Sequence, residues 1–209
     1  DVKEMLAGTD PQKIDTDNYS VEEIAHKFKK FIFEENYVRE FKDWKEKPML
    51  GFMIVGYSAK APLAEEWKID IGNGECDGPY RVRQQNQIGI TWNGEPEAIS
   101  RLYFGFSTSL QQVLKEAHLE EAKIKEIIDL CCNKLTIPMV VPPMPIQDAI
   151  DLAVFLVETT IRFSRFAPGA STVGGPIEVA AITKHEGFKW ARRKHYFDIT
   201  LNPREEDIA

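Results

Sequence analysis

No apolar run in this 209-residue chain reaches the roughly 20 residues a helix needs to cross a bilayer, and Asp1–Asp10 has no apolar stretch resembling a secretion signal. No membrane partner is therefore expected. Cysteine is scarce as well. Cys76, Cys131 and Cys132 make an odd count with an adjacent pair, which does not suit a secreted disulfide framework, so reduced thiols and a cytosolic (cytoplasmic) setting are expected. Positive charge is in deficit, with 26 Lys and Arg against 33 Asp and Glu and a net charge of -7. That balance excludes whole-surface attraction to nucleic acid or to an anionic membrane. The four histidines, His26, His118, His185 and His195, fall on different elements without H-x-x-x-H or H-E-x-x-H spacing, and no C-x-x-C occurs. They read as surface residues, and neither a metal nor a cofactor is expected. Internal repeats and low-complexity segments are also missing.

What is present is an ordinary globular composition, 43% apolar, with enough length for one large domain spanning 1–209. Residues 1–19 are polar and loop-like, 20–196 form the core, and 197–209 are a tail. Because the chain opens Asp1-Val2-Lys3 without an initiator Met, a processed product or a piece of a longer chain is expected.

Ser20-Val21-Glu22-Glu23 fits a capping box, and Ile24, Phe28, Phe31, Ile32, Phe41 and Trp44 recur at helical spacing up to Pro48, with a break near Asn36. Met49–Tyr57 is nearly continuous in apolar residues, the pattern of a strand buried on both faces. Trp67–Ile71 alternates and closes on Gly72-Asn73-Gly74, while Tyr80–Arg83 and Ile88–Trp92 are shorter strand candidates. Helical periodicity returns from Glu97, continues from Leu110 to Cys131 in one or two segments, and stops at the four prolines of Pro138–Pro145. A long helix follows from Ile146, then an irregular Gly-rich turn over Ala167–Pro176. Ile177–Thr183 and Phe188–Tyr196 form a terminal hairpin about a Lys184–Gly187 turn. Strands and helices are segregated along the chain, which predicts α+β rather than a doubly wound parallel sheet.

Two segments carry a family resemblance. Ile146-Gln147-Asp148-Ala149-Ile150-Asp151-Leu152-Ala153, leading through Thr160-Ile161-Arg162 to Gly174-Gly175-Pro176-Ile177-Glu178-Val179-Ala180-Ala181-Ile182-Thr183, resembles the late helix, Gly-Gly turn and following strand of proteasome subunits. Gly51–Tyr57 followed by Glu66–Gly72 is similar to the hairpin in the middle of the same fold. The resemblance spans about residues 20–196 and implies an αββα Ntn-hydrolase sandwich, two antiparallel sheets between helix layers, entered near the end of the family's first helix. It further implies self-association, ring-like in that family, and a peptide substrate.

In such hydrolases an N-terminal Thr, Ser or Cys attacks, with its own α-amino group as general base. Residue one here is Asp1, so catalysis would depend on a nucleophile supplied by the parent chain. The family's supporting Asp and Ser at the late-helix turn fall, on alignment of Gly174-Gly175, at Ala170 and Val173. Ser171 and Thr172 are the hydroxyls that would stand in if the turn were rearranged; plain turn chemistry is the competing reading. Gly169, Gly174 and Gly175 are assigned to the turn itself. The resemblance thus implies either a peptidase or amidase whose parent chain presents the nucleophile, or a noncatalytic subunit acting in assembly or binding. Lys189, Arg192, Arg193, Lys194 and His195, interleaved with Trp190 and Tyr196, read as an edge strand blunted by charge rather than a nucleic-acid surface. Cys131-Cys132 reads as a pair of buried helical thiols, and Glu116, Glu120, Glu121 and Glu126 as a solvated helix face.

Overall fold

A computed structural model describes residues 14–15, 17–84 and 87–194. The chain divides into two compact units, one comprising Asp1–Gln87 with Ile182–Gly187 and the other Ile88–Ala181 with Phe188–Ala209.

In the first unit, helix α1 (Val21–Lys29) starts where Ser20 Oγ accepts the Glu23 amide at 3.0 Å. Glu22 and Glu23 in its first turn and His26, Lys27 and Lys29 in its last complement the helix dipole. The winding then loosens into a π-helical stretch, Lys30–Tyr37, before one tight turn, α2 (Val38–Glu40). The expected break near Asn36 is thus a wide turn, in which the Asn36 side-chain amide donates to the Phe31 carbonyl five residues back at 2.6 Å. The helix ends at Glu40 rather than running to Pro48. Tyr37, buried, donates its hydroxyl to the Pro48 carbonyl at 2.8 Å and so fixes the return of the chain.

That return leads into an antiparallel meander of β1 (Leu50–Tyr57), β2 (Ala64–Gly72) and β3 (Glu75–Arg81). Leu50, Phe52 and Ile54 stand opposite Ile71, Ile69 and Trp67. Together with Val21, Ala25, Phe28, Ile32 and Tyr37 from the helix they make two adjoining apolar clusters. Burial of β1 on both faces, expected from its unbroken apolar run, is not found: Gly51 and Val55, pointing away from the helix, are exposed. Helix contact reaches one face only, and period-two alternation sends every second side chain to the other. The β2–β3 turn is Asn73-Gly74, with φ of 55° and 86°, the mirror-image two-residue turn that Asn-Gly favours. In β3, Gly78 sits at φ 102° beside a register irregularity between Lys68 and Asp70, and a Cβ there would lie 2.5 Å from the Lys68 carbonyl oxygen. This strand begins at Glu75, ahead of the expected Tyr80.

The second unit opens on Ile88–Trp92, which forms no strand, against the expectation there. Helices α3 (Glu97–Tyr103), α4 (Leu110–Glu116), α5 (Glu121–Leu135) and α6 (Ile146–Phe166) follow, with the proline-rich segment between the last two irregular as expected. Ala98, Ile99, Ile124, Leu156 and Val179 are its buried apolar residues, and Trp92, Tyr103, Phe104 and Phe106 form an aromatic chain at the end of α3. The terminal hairpin comprises β4 (Val179–Thr183) and β5 (Gly187–Arg192). The fold class is therefore α+β, with one three-stranded and one two-stranded sheet.

Candidate functional site

The turn after α6 is where the resemblance places support for a nucleophile, and it does gather hydroxyls. Ser164 is buried on the inner face of the last turns of α6, one turn beyond Thr160, whose hydroxyl donates to the Leu156 carbonyl at 2.9 Å. The Thr172 amide donates to Ser164 Oγ at 3.3 Å, and Ser171 Oγ lies 3.5 Å from the same oxygen. Ser171 Oγ donates onward to the Val173 carbonyl at 3.1 Å, and Thr172 Oγ1 donates to Glu95 Oε2 at 3.3 Å. Gly169 and Gly175 take positive φ, 107° and 88°, which lets the chain reverse without a Cβ penalty; Gly174 does not. Ala170 and Val173, where the resemblance would place an Asp and a Ser, offer neither a carboxylate nor a hydroxyl. The hydroxyls of Ser171 and Thr172 thus meet a backbone carbonyl and one carboxylate, partners that hold the turn. Ser164 and Glu95 went unnoticed in the sequence. The i, i+4 pair Thr160 and Ser164 on the buried stripe of α6 was the available signal for the first; Glu95, 77 residues from Thr172, had none.

A second polar cluster lies in the first unit. Ser58 Oγ accepts the Val21 amide at 3.0 Å and donates to Glu65 Oε1 at 2.6 Å. Trp67 Nε1 donates to Glu65 Oε2 at 3.3 Å, and Arg81 both ion-pairs with Glu65 and lies 5.4 Å over the Trp67 ring. Burial opposes the charge on Glu65, but the hydrogen bonds from Ser58 and Trp67 and the Arg81 guanidinium outweigh it and hold the carboxyl below its usual range. A cavity of about 40 Å³ adjoins Glu65, Glu66, Arg81 and Arg83. A carboxylate so fully supplied with donors is a weak base, and the cluster ties α1 to the sheet.

On the opposite face of the same sheet Asp70 accepts the Tyr80 hydroxyl at 2.6 Å and pairs with Lys68 at 3.0 Å. The shared carboxylate raises both Tyr80 and Lys68, and against the effect of burial those two groups lower Asp70. The shifts favour the ionised Asp70, the charged Lys68 and the neutral Tyr80.

The cysteines are free and half-buried, and burial pushes the Cys76 and Cys132 thiols up, away from the thiolate a nucleophile needs. His26, His118 and His185 are exposed on separate elements, and His195 lies outside the described residues. Among the described residues no group of three His, Cys, Asp or Glu side chains is placed to hold a metal, and no helix is long and apolar enough to cross a membrane. Glu116, Glu120, Glu121 and Glu126 are solvent-exposed, as expected of a solvated face. Lys189, Trp190, Arg192, Arg193 and Lys194 are exposed on and just beyond β5; Tyr196 lies outside the described residues. No family model, no curated protein and no solved structure matches the chain.

Proposed function

We propose that the chain is a proteasome-like Ntn-hydrolase homologue whose parent hydrolyses peptide or amide bonds with an N-terminal Thr, Ser or Cys. One observation supports the reading above the others. The two segments with family-like sequence fall on the element types that the family has there, in its order: a helix followed by the antiparallel pair β1 and β2, and later α6, a Gly-rich turn and a hairpin. In this reading the αββα sandwich is completed by strands outside these segments, and subunits associate in rings.

A second reading, a noncatalytic subunit of the same kind acting in assembly or binding, is favoured by the turn after α6. Its Ser171 and Thr172 hydroxyls are spent on Val173 and Glu95, and Ala170 and Val173 stand where support for a nucleophile belongs.

N-terminal sequencing and intact mass of the protein from its native source, followed by labelling with an electrophile that needs a free amine beside a hydroxyl or thiol, separates the two. A mature Thr, Ser or Cys terminus that takes up label supports the peptidase. A terminus of any other kind without label removes it and leaves the noncatalytic subunit.

A further inference from the structure

The terminal hairpin has an open side. β5 pairs with β4 alone among the described residues, and all six of its residues, Gly187–Arg192, are exposed. An edge of this kind presents unpaired amides and carbonyls to any extended chain that reaches it. Its side chains alternate in chemistry. Phe188, Trp190 and Arg192 project to one face and Lys189 and Ala191 to the other; Arg193, just past the strand, turns back towards the Trp190 ring. Phe188 and Trp190 are about half exposed, with ring centroids 5.3 Å apart, and the Arg193 guanidinium lies 5.5 Å from the Trp190 centroid.

From this arrangement we infer that the outer edge of β5 takes up an extended acidic peptide segment as an added strand. A strand laid beside β5 places its side chains opposite those of β5 at cross-strand distance, where opposite charges attract and like charges repel. Lys189 on one face, and Arg192 and Arg193 beside the rings on the other, call for carboxylates, while Phe188 and Trp190 call for apolar side chains. The occupant is thus an acidic segment with apolar residues set among its carboxylates. A second copy of β5 is disfavoured because its own lysine and arginines meet these. Single-stranded nucleic acid fits less well, since the two rings stand edge to face at 89° rather than as a flat stacking platform. This inference does not rest on the hydrolase reading, and the test below involves no catalysis.

The probe is a fluorescent peptide of about eight residues alternating Val and Glu, long enough to span a strand of this size. Three comparisons accompany it: the same peptide with Lys for Glu, one with Pro for Val, and an oligothymidylate. The acidic peptide is expected to bind at least ten-fold more tightly than the Lys peptide. It should also bind at least ten-fold more tightly than the Pro peptide, which keeps the charge but loses every second amide donor and the regular strand ladder. On binding, the β5 amides that face away from β4 gain protection from hydrogen exchange. The doubly reversed variant, Lys189→Glu with Arg193→Glu, alters only exposed side chains; with its circular dichroism unchanged, it should prefer the Lys peptide. Equal binding of the Pro peptide would reduce the effect to simple polyanion attraction and overturn the inference. So would displacement of the peptide by oligothymidylate at comparable concentration, or absence of new amide protection.

Discussion

Glu97 receives four hydrogen-bond donors. Its oxygens accept from Ser107 Oγ at 2.7 Å, from the Thr108 amide at 3.0 Å and hydroxyl at 2.5 Å, and from Arg101 Nε at 2.6 Å. The Thr108 and Ser107 hydrogen bonds, ahead of the opposing effect of burial, lower the carboxyl from 4.5 to about 2. A depressed folded value contributes stability above the unfolded value, which is lost as pH falls from about 4.5 towards 2. Glu97→Gln is accordingly expected to cost about 1 kcal/mol at neutral pH, a modest figure because the site is partly solvated. The difference in urea midpoint between variant and parent should shrink through that acid window. A difference that stays constant with pH would sever the carboxylate from the effect. Ser58 makes a matching case without charge of its own. Ser58→Ala leaves the Val21 amide and one Glu65 oxygen short of a partner and should cost about 1–3 kcal/mol by denaturant unfolding; a loss below a few tenths would mean that water replaces the hydroxyl.

Among elements, glycines separate two causes of sequence constraint. Gly78 combines φ 102° with a neighbouring carbonyl oxygen 2.5 Å from any Cβ, whereas Gly175, at φ 88°, has nothing within 4 Å. Gly175→Ala therefore bears only the left-handed backbone penalty, about 1–2 kcal/mol, and Gly78→Ala should cost clearly more because the β2–β3 ladder must shift. Thermal unfolding of the two variants that ranked them the other way would refute the packing argument at Gly78. Elements defined by local rules were legible in the sequence: the Ser20 cap, the Asn73-Gly74 turn, the proline-rich interruption and α6 all obey residue-level preferences. What was not legible depends on contacts remote in sequence. The exposure of Gly51 and Val55 follows from where a helix packs, and the absence of a strand over Ile88–Trp92 depends on partners remote in sequence, neither of which periodicity encodes. In the π-helical stretch the Asn36 side chain captures the Phe31 carbonyl, a contact that the apolar stripe does not reveal.

For the whole molecule, two compact units mean two sets of buried residues. In the first, Ile69 is fully buried among Tyr37, Ile71 and the helix aromatics; in the second, Ile124, Leu156 and Val179 fill the same role. The candidate site was half legible at this scale: the hydroxyls of Ser171 and Thr172 could be picked out of the turn, but their partners Ser164 and Glu95 come from a buried helix face and a distant loop. Separate cores also carry a consequence for cooperativity, because a cavity lowers the stability of the unit that contains it most directly. Ile69→Ala removes a large buried side chain from the sheet–helix interface and should cost about 2–5 kcal/mol there. Hydrogen exchange read by mass spectrometry is expected to show lost protection across β1, β2, β3 and α1, with the amides of α5 and α6 close to their parent values. Equal loss in α6 would show instead that the chain opens as one cooperative body, and a single unfolding free energy would then describe it.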